Sequence, residues 1–242
     1  MRRLLLLAAA VVLAGCAQAP RESGQEPLRV LFVGNSLTDT NNLPAVVATL
    51  ARGLGTEIAY ETIAPGGTSL LDHLNGGRVP AELESGDWDA VVMQQGPSAL
   101  PESQVELRES AVRLAAIARE HDVRPALWTV WPESYRSAAL GDVIVSYRNA
   151  AKVAGAELYA AGAAWRSAWS RTPSLPLYGP DGFHPSPLGT YLAALVVCAG
   201  LTGQQPQALA FSIDRPGFKL TVTAARARLL RAAAVDAVAA AR

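Results

Sequence analysis

The chain has 242 residues, 21 basic and 21 acidic side chains, half of its residues hydrophobic, and two cysteines. That apolar content suits a domain with a sizeable core and excludes a disordered or fibrous chain, while a formal charge of zero gives no reason to expect nucleic acid as a partner. Two cysteines allow one disulfide at most, which excludes a small disulfide-stapled scaffold.

Met1-Arg2-Arg3 is a short basic stretch, followed by an unbroken apolar run of eleven residues from Leu4 to Ala14. A span across a bilayer core needs about twenty, so the run reads as a secretion signal rather than a membrane helix. It closes on Leu13-Ala14-Gly15-Cys16, which resembles the lipobox of bacterial lipoproteins. That resemblance implies a signal peptide over residues 1–15 and a lipidated Cys16. It also implies a protein held outside the cytoplasm on a bacterial membrane by its lipid anchor. Losing Arg2 and Arg3 with the signal leaves 19 basic against 21 acidic residues. The polar, proline-containing stretch up to Pro27 reads as a tether over residues 16–27, leaving residues 28–242 as the folded domain.

Leu28 to Val33 is a β-branched and aliphatic run ending at Gly34, as expected of a buried strand. Ala45 to Leu54 has helical character, and Glu57 to Ile63 reads as a second strand, stopped by Pro65-Gly66-Gly67. Trp88 to Met93 is a third strand, and Glu102 to Glu120 a long helix. Pro125 to Trp131 is a fourth strand, closed by Pro132. Asp142 to Ala154 is a helix, Ala156 to Ala161 a fifth strand, and Ser186 to Gly200 and Thr221 to Ala241 are helices. Between them, Thr202 to Gly217 is rich in proline, glycine and glutamine and reads as a surface excursion. Cys198, in an apolar helical run, is expected to be a buried small hydrophobe. Strands separated by helices imply βαβ units, hence an α/β domain whose mainly parallel sheet is covered on both faces. In such sheets the reactive residues gather at the carboxyl ends of the strands.

Two segments carry chemistry, one at such a strand end and one just before a helix. Gly34-Asn35-Ser36-Leu37 puts a serine on a glycine-led turn after the first strand. Far downstream, Asp181-Gly182-Phe183-His184 sets a carboxylate three residues before a histidine in one loop. A serine hydroxyl needs a base to become a nucleophile. Histidine suits that task near neutral pH, and a carboxylate fixes its tautomer. Together, with Pro185-Ser186-Pro187-Leu188-Gly189 following, these segments resemble the SGNH hydrolase superfamily, the GDSL-like esterases. The likeness runs over roughly residues 28 to 200.

The resemblance implies a flavodoxin-like three-layer α/β/α sandwich with about five strands and no cofactor. It also implies Ser36 as nucleophile, His184 as general base and acid, and Asp181 as its orienter. The family's oxyanion hole uses the nucleophile's own N–H, a glycine N–H and usually an asparagine amide, and such donors are worth ~3–4 kcal/mol each. Here the glycine is Gly66 or Gly67. Where the family has glycine-x-asparagine-aspartate after the third strand, this chain has Gln94-Gln95-Gly96. Some carbohydrate-esterase branches have glutamine-glycine there, so Gln95, with Gln94 as the alternative, is expected to supply the amide.

Asn35, His73 and Trp131 are further candidates for touching substrate. His121, at a helix end beside Asp122, reads as a C-terminal cap, and no His, Cys, Asp or Glu group has metal-ligand spacing. The expected partner is a small-molecule or glycan ester, the reaction being hydrolysis of an acyl, preferentially acetyl, ester through an acyl-enzyme. A lipase, lysophospholipase or thioesterase on the same scaffold is the neighbouring alternative. A glycan-binding lipoprotein without turnover is the alternative from another class.

Overall fold

A computed structural model describes residues 26–207, 211–215 and 218–241. The expected signal segment, Cys16 and all but the last two residues of the tether lie outside these residues. In chain order the chain first forms β1 (Leu28–Val33), α1 (Ser36–Asp39), a 3-10 turn, α2 (Leu43–Gly53), β2 (Ile58–Ile63), α3 (Leu70–Gly76) and α4 (Arg78–Ser85). β3 (Ala90–Met93), α5 (Pro101–Glu120), β4 (Arg124–Trp128), α6 (Leu140–Ala154) and β5 (Glu157–Tyr159) follow. The chain continues through α7 (Ala161–Arg171), α8 (Pro187–Thr202), β6 (Phe211–Arg215), β7 (Phe218–Val222) and α9 (Ala224–Ala241).

The first five strands form one parallel sheet in the order β2-β1-β3-β4-β5. β1 sits between β2 and β3, with Leu28 opposite Ile58 and Val30 opposite Ala90. Every residue of β3 is buried, as is the inner part of β1, so these strands read as continuous apolar runs rather than as alternating ones. α3 to α6 pack together on one side of the sheet, and α2, α7, α8 and α9 on the other. This is the three-layer α/β/α arrangement anticipated from the sequence. The chain leaves β1 toward β2 on one side and returns to β3 on the other. That reversal opens a crevice above the carboxyl ends of β1 and β3, where ligands of such sheets bind.

α8 is apolar all round, with thirteen buried residues among its sixteen, because α2, α7, α9 and the sheet surround it. Cys198 lies there as expected, and burial pushes its thiol up to about 12. The stretch read as a surface excursion holds β6, which pairs with β7 in an antiparallel hairpin, Ile213 opposite Leu220. Leu220 and Val222 are buried while Lys219 and Thr221 are exposed. That period-two alternation marks Phe218–Val222 as strand, so the last helix starts at Ala224 rather than Thr221. β4 ends at Trp128 and β5 spans only three residues, because α7 starts at Ala161.

An aromatic cluster fills the space behind the crevice. The Trp131 and Trp165 rings are parallel, with centroids 3.4 Å apart, and Trp165 meets Trp169 and Tyr178 edge-on. Trp165 is fully buried and its indole N–H donates to the Gly189 carbonyl at 3.3 Å. Trp165→Ala leaves a large cavity and is expected to lower unfolding stability by about 3–5 kcal/mol, to be read from the urea midpoint at constant denaturant slope.

Candidate active site

Asn35 follows β1 in extended backbone and caps α1, its side-chain oxygen accepting from the Leu37 N–H at 3.1 Å. Ser36 therefore starts a one-turn helix, and its own N–H has no acceptor within that helix. Gly34 is needed for a steric reason. A Cβ there would stand 2.4 Å from both Gln94 Oε1 and Thr38 Oγ1. Gln94 is fully buried and its amide is fully used. Oε1 accepts from the Asn35 N–H at 3.2 Å and the Thr38 hydroxyl at 2.9 Å. Nε2 donates to Asn35 Oδ1 at 3.0 Å and to the Gln95 carbonyl at 2.7 Å. Gln94 thus joins the end of β3 to the turn that carries Ser36.

Ser36 Oγ lies 2.9 Å from His184 Nε2, and His184 Nδ1 lies 2.5 Å from Asp181 Oδ2. A carboxylate can only accept, so the Nδ1–H donates to Asp181 and leaves Nε2 to take the serine proton. Asp181 Oδ1 accepts the Phe183 and His184 N–H groups, both at 3.0 Å. The His184 hydrogen bond, then that of the Phe183 N–H, holds the Asp181 carboxyl below its ordinary pKa. It is ionised at neutral pH.

The loop bearing this pair is pinned on several sides. The Gly182 carbonyl accepts from the Ser134 N–H at 2.7 Å, and the Gly179 N–H donates to the His184 carbonyl at 2.7 Å. Gly182 has a φ of +69°, which a side chain would strain. The Trp131 indole N–H donates to the Phe183 carbonyl at 3.1 Å, and Asn41 Nδ2 donates to the Pro185 carbonyl at 2.9 Å.

Beside Ser36 opens a cleft of about 270 Å³ lined by Asn35, Gly67, Thr68, Ser69, Gln95, Gly96, Ser98, Ser103, Glu106 and Phe183. Of the two glycines left open by the sequence, Gly67 lines this cleft and takes the left-handed conformation, φ +78°. Gly66 is not part of the lining. Of the two glutamines, Gln94 is committed to its buried bonds, whereas Gln95 faces the cleft. The Leu70 N–H donates to Gln95 Oε1 at 3.2 Å, which turns Nε2 away from α3. That Nε2 makes no hydrogen bond among the described residues, and it is available to an oxyanion.

Two sequence expectations need correction. His73 does not touch the cleft. It is buried on α3, with Nε2 2.7 Å from the Gly34 carbonyl oxygen and 3.2 Å from Thr68 Oγ1, so it braces the Ser36 turn from behind. Trp131 is fully buried in its stack on Trp165 and supports the Asp181–His184 loop instead of meeting substrate. Asn35 borders the cleft, but its amide is spent on Leu37, Gln94 and the Thr68 carbonyl. His121 caps α5 as expected. Thr68, Tyr147, Ser98, Ser103 and Glu106 were not singled out from sequence. Each is an ordinary residue in a turn or helix, and only the fold gives it a role.

No family model matches the sequence, and no curated protein matches it significantly. Among solved structures, a candidate SGNH hydrolase from Slackia heliotrinireducens is 31% identical with a TM-score of 0.61, the match covering 72% of this chain and 98% of that one. A DUF4886 family protein from Bacteroides uniformis has a TM-score of 0.73 at 17% identity, covering 88% of this chain and 95% of the other. An acetyl xylan esterase has a TM-score of 0.56 at 16% identity, covering 71% and 98%. The last two likenesses concern the fold alone.

Gly34→Ala forces the new methyl against Gln94 and Thr38 and is expected to cost about 1–3 kcal/mol of stability. It should also slow turnover, since the displaced groups hold Ser36. Urea unfolding and kcat measured on the same preparation check both effects.

Proposed function

The chain belongs to the SGNH hydrolase superfamily, and on that premise we propose that Ser36, His184 and Asp181 form the catalytic triad of an acetyl esterase acting on carbohydrate or cell-wall glycan. The observation that carries the reading is the continuous hydrogen-bond chain from Ser36 Oγ through the imidazole to Asp181. In this mechanism Ser36 attacks the ester carbonyl while His184 takes its proton, and the imidazolium is stabilised by ionised Asp181. The negative charge on the former carbonyl oxygen is met by the N–H groups of Ser36 and Gly67 and by Gln95 Nε2. His184 then returns the proton to the departing sugar oxygen. A water molecule, deprotonated by the same imidazole, attacks the acyl-enzyme, releases acetate and restores Ser36.

The cleft supports a small acyl group on a hydroxyl-rich alcohol. Its lining residues are mostly polar: Ser98, Ser103 and Glu106, with Thr68 and Ser69, whose hydroxyls are held by the Gly34 carbonyl and by Asp72, and Phe183 is the one large apolar residue among them. Long acyl chains need continuous apolar lining to gain from burial, and this wall does not provide it. The acetyl xylan esterase of the same fold is in keeping with this substrate class.

A surface location outside the cytoplasm, anchored through lipid on Cys16, is part of the proposal. Its support is the basic, apolar and Leu-Ala-Gly-Cys succession at residues 2–16.

Three experiments test the reading. Ser36→Ala is expected to lower kcat on p-nitrophenyl acetate by at least ~10³-fold and Asp181→Asn by ~10²–10⁴-fold; unchanged rates would remove the triad assignment. Across acetyl, butyryl and octanoyl esters, kcat/KM should fall at least ~10-fold from acetyl to octanoyl, and the reverse order would point to a lipase or thioesterase. In bacterial cells fed labelled palmitate, the full chain should take up label and Cys16→Ser should not; label in both contradicts anchoring at Cys16.

A further inference from the structure

Gln95 is the residue where β3 has left the sheet. The last residue of β3, Met93, pairs with Leu127, and the Gln94 N–H makes a further bond to the Val33 carbonyl at 2.9 Å. The Gln95 peptide groups therefore have no strand beside them, although the residue is 95% shielded from solvent. A buried N–H and C=O left without partners would destabilise the end of β3. α6 supplies the missing partner. The Gln95 N–H donates to Tyr147 Oη at 3.0 Å, and the Tyr147 hydroxyl donates to the Gln95 carbonyl in a short hydrogen bond. One hydroxyl can accept and donate at once, so a single side chain replaces both ladder bonds.

Tyr147 is fully buried, and burial holds its phenol well above the ordinary pKa, so the proton needed for the second bond stays in place. Gln94 Nε2 shares the same Gln95 carbonyl. The Gln95 side chain thus starts from a main chain clamped by Tyr147 and Gln94. It ends on an amide whose Oε1 is held by Leu70.

We propose that Tyr147 is a positioning residue for catalysis, its hydroxyl fixing the Gln95 peptide so that Gln95 Nε2 meets the oxyanion as it forms. The inference rests on the reading of Gln95 as an oxyanion donor. A donor has its full effect only when held at about 2.7–3.1 Å from where the oxyanion will be, and misplacement by 1 Å can cost 10²-fold. Tyr147 never touches substrate, so its influence must pass through Gln95.

A double-mutant cycle on the full-length protein tests this. Gln95→Ala is expected to lower kcat ~10²-fold, and Tyr147→Phe, which keeps the buried ring, about tenfold with KM unchanged. In the Gln95→Ala background, Tyr147→Phe should change kcat less than twofold. The neighbouring Ser146→Ala, whose buried hydroxyl has no hydrogen-bond partner among the described residues, should leave kcat as in wild type in both backgrounds. A tenfold loss from Tyr147→Phe that persists in Gln95→Ala overturns the positioning role and makes Tyr147 merely structural. Wild-type kcat in Gln95→Ala overturns the donor reading and the inference with it. If Tyr147→Phe does not fold, 3,5-difluorotyrosine placed at position 147 keeps the volume while weakening the acceptor oxygen. It should then slow turnover only where Gln95 is present, and equal slowing in both backgrounds rejects the role.

Discussion

The carboxamide of Gln94 makes four hydrogen bonds, which is all it can make, and it makes them out of reach of water. Two run to the Asn35 backbone and side chain, one to the Thr38 hydroxyl and one to the next peptide. In a low-dielectric interior such bonds are strong, and losing any one leaves a buried polar group unpaired. The rest of the site is arranged around this amide. Gly34 has no side chain because a Cβ there would stand 2.4 Å from Oε1. Asn35 keeps its extended backbone and caps α1 because its Oδ1 also receives Gln94 Nε2. Ser36 is then the first residue of a helix at the sheet's reversal point, with its hydroxyl toward the crevice and its N–H unspent.

The second half of the machinery comes from the loop between α7 and α8, 148 residues from Ser36. A serine–histidine contact of 2.9 Å needs both halves held to a fraction of that distance. Here the connection is made away from the reacting atoms. Asn41, in the turn after α1 and at φ +59°, donates to the Pro185 carbonyl and to the Thr190 hydroxyl. Left-handed backbone at a non-glycine residue costs stability unless its surroundings fix it. Asn41 bears that cost while linking the Ser36 segment to the residue after His184. From the opposite side Trp131 holds the Phe183 carbonyl, and the Trp131–Trp165 stack keeps that indole in place. The tryptophans are distant from the chemistry and serve it through position.

The legible parts of the sequence were those whose signal is local. The apolar runs of β1 and β3, the long periodic helices, and Asp181 three residues before His184 need no information from elsewhere in the chain. α3, α4 and α7 are two or three turns long, too short for periodicity to stand out, and α7 has no side-chain cap at its start. β6 lies within a stretch whose prolines, glycines and glutamines mask its alternation, and the end of β7 runs on into the alanine-rich pattern of α9. His73 and Trp131 were misread because a histidine after a glycine turn and a tryptophan near a strand end both lie close to the crevice in sequence. Which side each faces is decided by partners 39 and 52 residues away. The choice between Gln94 and Gln95 was of the same kind. Alternation puts neighbouring side chains on opposite sides, but only the contact with Asn35, 59 residues back, shows which side is the interior.

On the proposed reading of Gln95 as the third oxyanion donor, the departure from asparagine has a physical consequence. Glutamine carries one more rotatable bond, and a free side chain of that length spends much of its time away from any single target. An amide donor that must be searched for during the reaction forfeits much of the electrostatic advantage of one already in place. The restraints around Gln95 answer that requirement. Oε1 is held by the Leu70 N–H at the start of α3, and Ser69, which caps that helix, is itself fixed by its reciprocal bonds with Asp72. The peptide at the base of the side chain is held by Tyr147 and Gln94. With both ends fixed, the extra methylene adds reach without adding freedom. On that proposed reading, a longer donor standing where a shorter one is usual is compatible with turnover because α3 and α6 each contribute one hydrogen-bonding group that a sequence motif does not record.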